Sequence, residues 1–249
     1  GPMPGWTMGY GFDLDEWASE SQLHNWNTFM QSRLGWQHLL GGRPEGPNSG
    51  TDHSPWHSWN SSMEYSSYEH HEPSYDVYVA ARNEVPDQPT MSEDRFRVRS
   101  GGSGKDYTEA QTRRGLYIST MSGGVANIWG QVSTSDRLHD TGRYSNVSQL
   151  KTYSTFFFGH NRFRADMQPN PSITNGYALV NSTQKRFILY RQDASSIDVD
   201  LSTMNGSQPV VAVDARSSYE EIDLGEVDPQ SQTINLPHAS DWVIAIGSF

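Results

Sequence analysis

The chain has 249 residues and carries 18 Lys and Arg against 29 Asp and Glu, a formal net charge of −11 at pH 7. This balance argues against nucleic acid as a main partner, because a phosphate backbone is bound by basic stripes. No apolar run approaches the roughly 20 residues of a membrane-spanning helix. The lack of cysteine excludes disulfides and cysteine-based catalytic or metal sites.

The first two thirds of the sequence alternate between predicted strands and helices. Leu23, Trp26, Met30 and Leu34 recur at spacings of three and four, which predicts one apolar helix face. Strands are predicted at residues 5–10, 36–40, 63–68, 90–92 and 125–129, and helices at 19–34, 75–82, 107–121 and 147–158. This alternation is typical of parallel βα units.

A different pattern begins after Pro169 and Pro171. Short alternating strands are predicted at 177–181, 187–191, 197–201, 210–214, 233–236 and 242–246. Turn pairs such as Asn205-Gly206 separate them, which favours an antiparallel β-sandwich. We therefore predict an α/β plus β chain, with an incomplete TIM-type (β/α) barrel at 3–168 and a small sandwich at 172–249.

Polar residues follow each predicted parallel strand. They are Asp13, Asp15 and Glu16, then Arg43, then Glu69, His70, His71 and Glu72, then Glu93, Arg95 and Arg97, and finally Asn127 and Trp129. In a βα barrel, reacting groups lie at the carboxyl ends of the strands. Carboxylates beside aromatic and arginine side chains suit glycoside chemistry, in which one carboxylic acid protonates the leaving oxygen and a second carboxylate attacks carbon or activates water.

Three segments in this order resemble the fourth, seventh and eighth strands of apiosidase-like glycoside hydrolases. They are Trp6-Thr7-Met8-Gly9-Tyr10-Gly11-Phe12-Asp13, Pro89-Thr90-Met91-Ser92-Glu93-Asp94-Arg95 and Gly123-Gly124-Val125-Ala126-Asn127-Ile128-Trp129-Gly130. The tail resembles the collagen-binding-like β-sandwich that follows the barrel in that family. Its matching segments are Tyr177-Ala178-Leu179-Val180, Phe187-Ile188-Leu189-Tyr190 and Asp241-Trp242-Val243-Ile244-Ala245-Ile246.

The resemblance implies a nucleophile at Glu93 and an acid/base carboxylate at Asp13, with Asp15 and Glu16 as rivals. The family usually shows Gly-Gly-Asp on strand four, whereas this chain has Gly9-Tyr10-Gly11-Phe12-Asp13. It also implies that only strands four to eight are present, so we expect a partner chain, another fragment or a second copy to complete the barrel, because open edges leave N–H and C=O groups unpaired.

Further side chains are candidates for substrate binding. Arg43 and Arg95 could hold a sugar carboxylate or sulfate, or neutralise nearby acids. The other candidates are Tyr65, Tyr68, His70, Asn127 and Trp129, each of which could instead be packing or rim. Adjacent His70 and His71 on a strand point to opposite faces, so no metal site is predicted.

The interpretation favoured by these patterns is a bacterial, secreted or periplasmic glycoside hydrolase that acts without a cofactor on oligosaccharides from plant or algal polysaccharides. A lyase or dehydratase that forms an unsaturated uronic acid with tyrosine, histidine and arginine is one alternative. A non-catalytic glycan-binding chain or partner subunit is the other.

Overall fold

The computed structural model describes residues 7–10, 14, 17–34, 38–42, 61–68, 74–92, 108–126 and 146–249. The helices are α1 (Glu20–Arg33), α2 (Tyr75–Glu84), α3 (Glu109–Met121) and α4 (Val147–Ser154), and α4 continues into a π-helical turn at Thr155–Gly159. Ser19 and Thr108 each begin a helix with a reciprocal capping box, closed by Gln22 and Gln111. Local sequence therefore fixes where α1 and α3 start. None of the helices in these ranges is long and apolar enough to cross a membrane.

Five short parallel strands lie side by side in the described part of the chain. β1 (Thr7–Gly9) pairs with β2 (Leu39–Gly41), and β3 (Ser66–Tyr68), β4 (Thr90–Ser92) and β5 (Val125–Ala126) pair in chain order. The Glu64 amide donates to the Leu40 carbonyl at 3.0 Å, which links β2 to the start of β3. The predicted parallel βα pattern is confirmed, but the described strands do not close into a barrel.

The carboxyl-terminal region is one six-stranded antiparallel sheet in the order β10-β9-β11-β8-β7-β6. Its strands are β6 (Met167–Pro169), β7 (Tyr177–Asn181), β8 (Phe187–Asp200), β9 (Gln208–Asp214), β10 (Ile222–Val227) and β11 (Ser231–Ile246). The antiparallel arrangement is confirmed, while hydrogen bonds join all six strands into one sheet rather than two. The sandwich is therefore not shown.

The antiparallel strands depart most from the prediction at β6, β8, β10 and β11. The segments predicted at 187–191 and 197–201 are the two halves of β8, and those at 233–236 and 242–246 are the two halves of β11. β6 and β10 were not predicted. The register of β11 on β8 shifts between Asn235 and Trp242, and Asp193 in β8 has a φ of 48°. The polar residues at these bulges interrupt the hydrophobic pattern although the hydrogen-bonded strand continues.

One face of this sheet shares a core with helices α2, α3 and α4. Tyr117 of α3 stacks on Tyr190 of β8, with ring centroids 4.7 Å apart. Because α3 lies between the parallel strands and the antiparallel sheet, its polar residues Thr112 and Ser119 are buried together with its apolar ones. The opposite face covers a second core that contains Trp242. The proposed division at 168–172 remains a prediction.

Candidate functional site

β1 and β2 form one small parallel sheet and β3, β4 and β5 form another, and the carboxyl ends of the strands lie along one edge of each sheet. β1 ends at Gly9, β3 at Tyr68 and β4 at Ser92. Neighbouring parallel strands run in the same direction about 4.8 Å apart, so the chain leaves all of them on the same side. In the sequence, Glu93 directly follows Ser92, and Asp13 follows Gly9 by four positions.

Most of the predicted site residues lie outside the described residues. They are Asp13, Asp15, Glu16, Arg43, His70, His71, Glu93, Arg95, Arg97, Asn127 and Trp129. Tyr68 is the last residue of β3. Tyr65 is the one predicted binding residue whose side-chain position is described, and it is buried.

Tyr65 packs on the face of the parallel strands that points away from α1. Its ring lies directly on Gly41, where a Cβ would overlap the ring, and its hydroxyl reaches within 3.5 Å of where a Cβ on Gly9 would stand. A Cβ on Gly42 would instead meet Leu14 and Leu23 on the helix side. Because Gly9 and Gly41 on adjacent strands have no side chains, the Tyr65 ring packs directly on the backbone near the carboxyl ends of these strands.

A polar network on the helix side holds α1 against the strands. Tyr10 donates to the Asn27 Oδ1 at 3.0 Å, and the Asn27 Nδ2 donates to a carboxylate oxygen of Glu64 at 3.2 Å. The other oxygen of Glu64 accepts from the Leu40 amide at 3.2 Å. Burial and the charge of Glu64 raise the pKa of Tyr10 to about 12. The network supports the strands, since Glu64 is bound on both oxygens within the fold.

Sequence analysis overlooked this network, although a signal was present. Asn27 stands four residues after Leu23, on the face predicted to be apolar, and it is buried. A polar side chain at such a position needs a hydrogen-bonding partner. The position of Asn27 therefore indicated a buried polar contact, while its partner Glu64 lies 37 residues away.

A second group, the Asp241 cluster, comprises Asp241, Arg113, Arg114, Arg216 and Asp193 and joins α3 to the antiparallel sheet. The Asp241 side chain is fully buried and accepts from Arg113 at 2.8 Å, Arg114 at 3.1 Å and Arg216 at 2.7 Å. The Asp193 amide also donates to it, at 3.0 Å. Burial acts to raise the pKa of Asp241, but the arginine hydrogen bonds outweigh it and hold that pKa well below the usual range. Because both oxygens of Asp241 accept hydrogen bonds, five in all from four residues, we interpret the cluster as structural.

The described residues contain no candidate metal site. No group of three or more His, Cys, Asp or Glu side chains could hold an ion there. His70 and His71 lie outside the described residues. Of the cluster residues, Asp241 falls in a predicted strand, and Arg113 and Arg114 fall in the helix predicted at 107–121, but none was predicted to form an ion pair.

Comparisons with known proteins identify the fold. No protein-family model and no curated protein sequence matches the chain. A glycoside hydrolase family 5 structure from Bacteroides vulgatus ATCC 8482 superposes with a TM-score of 0.69 at 12% identity, covering 97% of this chain and 70% of that one. A second structure, described as a glycoside hydrolase, gives a TM-score of 0.63 at 12% identity, covering 85% of this chain and 58% of that one.

These similarities establish a glycoside-hydrolase-like fold and nothing finer, because both identities are far below the level at which activity is shared. The chain spans less than two thirds of the second structure and 70% of the first. Neither match singles out the apiosidase-like family, which stays a prediction. The chain therefore has a mixed α/β fold with a large antiparallel sheet, similar to that of solved glycoside hydrolases.

Proposed function

We propose that this protein is a glycoside hydrolase that acts on oligosaccharides derived from plant or algal polysaccharides. The observation that carries the proposal is the superposition of 97% of the chain on a glycoside hydrolase at a TM-score of 0.69. The parallel strands add support, because β1 and β4 lead to the carboxylates Asp13 and Glu93 at the edge where such folds place their chemistry.

The proposed reaction uses two carboxyl groups. Glu93 attacks the anomeric carbon while Asp13, with Glu16 as the rival acid, protonates the leaving oxygen; water, deprotonated by the same carboxylate, then cleaves the bond between the sugar and Glu93. Tyr65 supports this arrangement, because its ring lies on Gly41 and its hydroxyl stands over Gly9, on the strand that leads to Asp13. The proposed sugar-binding groups are Arg43, Tyr68, His70, Arg95, Asn127 and Trp129, while the buried Tyr65 supports the strands beneath them.

The decisive experiment compares Glu93→Gln with Glu220→Gln, an exposed glutamate of the β9–β10 connection. Removal of a catalytic carboxylate should lower kcat/KM by at least about a hundredfold, the lower end of the contribution of general acid–base groups. Glu220→Gln removes the same charge and should leave the rate unchanged. Release of reducing ends from neutral and acidic plant or algal oligosaccharides is the readout. An unchanged rate for Glu93→Gln would contradict the assignment.

The same assay separates hydrolysis from elimination. Elimination next to a uronic acid carboxylate creates a conjugated double bond that absorbs ultraviolet light, whereas hydrolysis does not. We expect new reducing ends without this absorbance. Absorbance that rises with cleavage would assign the site to a lyase, and binding without either signal would assign it to glycan capture.

We further propose that a partner chain, another fragment or a second copy supplies parallel strands beside β1, so that the described strands form part of a larger barrel. Within the described residues, β1 pairs with β2 alone. Trp17, just before α1, and Phe29, within α1, are each 58% exposed, which is unusual for large apolar side chains. Light scattering coupled to size-exclusion chromatography tests self-association, and a strictly monomeric, fully active chain would contradict the proposal.

A further inference from the structure

The antiparallel sheet carries a surface groove that extends to the start of helix α2. Two open clefts of about 440 and 380 Å³ adjoin at Asn175, and we call them together the β7 groove. The first cleft is lined by residues 172–175, 198–200 and 231–233. The second is lined by Asn175, Gly176, Tyr177, Arg191 and Gln192.

The second cleft lies beside the start of α2. The Tyr177 ring is 4.7 Å, centroid to centroid, from the ring of Tyr75, the first residue of α2. Helix α2 is the element that follows β3, and its amino end therefore lies on the side of the carboxyl edge of the parallel strands. A chain of sugars that leaves this edge toward α2 would reach the second cleft.

The floor of the first cleft is fixed by internal hydrogen bonds. The Asn175 Nδ2 donates to the Asp198 carboxylate at 2.7 Å, and the Asp198 amide donates back to the Asn175 Oδ1 at 3.1 Å. The Thr233 hydroxyl donates to the other Asp198 oxygen at 2.7 Å. Such prearranged amide, hydroxyl and carboxylate groups suit the hydroxyls of an uncharged sugar, and the charge of Asp198 disfavours an anion in this cleft.

Arg191 makes the second cleft positively charged, whereas Asp198 makes the first cleft negatively charged. Its Nη1 donates to the Ser196 carbonyl at 2.9 Å, and among the described residues it has no carboxylate partner. Arg114, Arg162 and Arg216 are each paired with a carboxylate. The Nε–Nη2 edge of Arg191 therefore remains for a ligand, and this edge matches the two oxygens of a planar carboxylate.

We propose that the β7 groove is a distal carbohydrate-binding site that accepts a uronate residue, with the sugar carboxylate on the Nε–Nη2 edge of Arg191. Asn175 and Gln192 supply amide groups for the sugar hydroxyls, and the partly buried Tyr177 forms the wall toward α2. This inference rests on the proposed function and deepens it, since it names an acidic polysaccharide as the substrate class.

The test is an NMR titration of the whole chain with three probes: a trisaccharide that carries one uronate on two neutral sugars, its methyl ester and a sulfated trisaccharide. The uronate probe should shift the Arg191 Nε–Hε signal and bind at least about tenfold more tightly than the ester, because esterification removes the charge that pairs with the Arg191 guanidinium. Equal affinity for acid and ester would overturn the proposal. Tighter binding of the sulfated probe would overturn the uronate assignment.

Matched variants complete the test. Arg191→Gln should remove the preference for acid over ester. Arg186→Gln, which deletes an exposed arginine bound to the Ser248 carbonyl, should keep it. Equal losses in both variants would indicate only a general charge effect and would overturn the site. Cleavage without the acid preference would refute this inference alone, whereas binding at Arg191 without cleavage of any oligosaccharide would refute the proposed function alone.

Discussion

The parallel strands and the antiparallel sheet differ in how much structure each builds for itself. The described parallel strands are two or three residues long. The antiparallel sheet has strands of up to 16 residues and buries side chains on both faces. Hydrogen-bond ladders and buried apolar area grow with strand length, so most of the local stabilisation lies in the antiparallel sheet.

This difference indicates that the parallel strands, which lead to the proposed catalytic carboxylates, depend for stability on the antiparallel sheet and its helices. Helices α2, α3 and α4 bury their apolar sides on the antiparallel sheet, and α2 and α3 also contact the parallel strands. A change in the sheet should therefore affect the whole molecule, whereas a change in the parallel strands should act locally. Four predictions test this difference.

The largest effect is expected for Asp241→Ala. This change leaves Arg113, Arg114 and Arg216 without the carboxylate that they share. Of these three arginines, Arg113 is buried. Removing one partner from a buried ion pair costs about 3–5 kcal/mol. Denaturant unfolding followed by tryptophan fluorescence measures the loss. Asp228→Ala, at an exposed position, is the control and should change the free energy of unfolding little.

The same residue predicts a pH dependence. The pKa of Asp241 is lowered by folding, so its contribution to stability is complete above the ordinary aspartate pKa of about 4 and is lost as the pH falls toward the folded value. The free energy of unfolding of the parent chain should therefore decline more steeply below about pH 4 than that of Asp241→Ala. Parallel curves for the two proteins would contradict the assigned ion pairs.

An intermediate effect is expected for Gly41→Ala in the parallel strands. The new Cβ would overlap the Tyr65 ring, and such overpacking costs about 1–3 kcal/mol. Gly9→Ala is the matched control, because its Cβ would meet the Tyr65 hydroxyl at an ordinary 3.5 Å. Gly41→Ala should lower kcat/KM on oligosaccharides more than Gly9→Ala does. Equal behaviour of the two variants would show that Tyr65 does not lie on Gly41.

The smallest effect is expected for two tyrosines of the shared core. The Tyr190 hydroxyl is buried without a hydrogen-bond partner among the described residues, whereas the Tyr153 hydroxyl is hydrogen-bonded to the Thr120 Oγ1 at 2.5 Å. Tyr190→Phe should leave stability unchanged or raise it, and Tyr153→Phe should lower it by about 1 kcal/mol. Thermal unfolding of both variants measures the difference. A larger loss for Tyr190→Phe would reveal a partner for its hydroxyl.

Local elements were predictable because their signals are local. Helix α1 was predicted at 19–34 and spans Glu20–Arg33, since its capping box and apolar spacing lie within the helix itself. Strand β7 was predicted at 177–181 and has those bounds. The continuity of β8 and β11 could not be predicted, because polar residues at their bulges break the alternation that marks a strand.

The candidate site was predictable only as a set of residue types after successive strands. Tyr65 was named as a sugar-binding or packing residue, but its position on Gly41 depends on the register of β3 beside β2. Arg191 was not named as a binding residue, because an arginine within a strand segment gives no sign of whether a carboxylate will reach it.

By itself the sequence determined the alternation of short parallel strands with helices, the change to antiparallel strands near residue 170 and the acidic charge. Only the tertiary structure decided that one face of the sheet packs on three helices, that Asp241 meets arginines 25, 127 and 128 residues away, and that Arg191 has no carboxylate partner among the described residues. Hydrophobic periodicity and capping act between near neighbours, whereas the partner of a buried charge is set by how distant segments pack together.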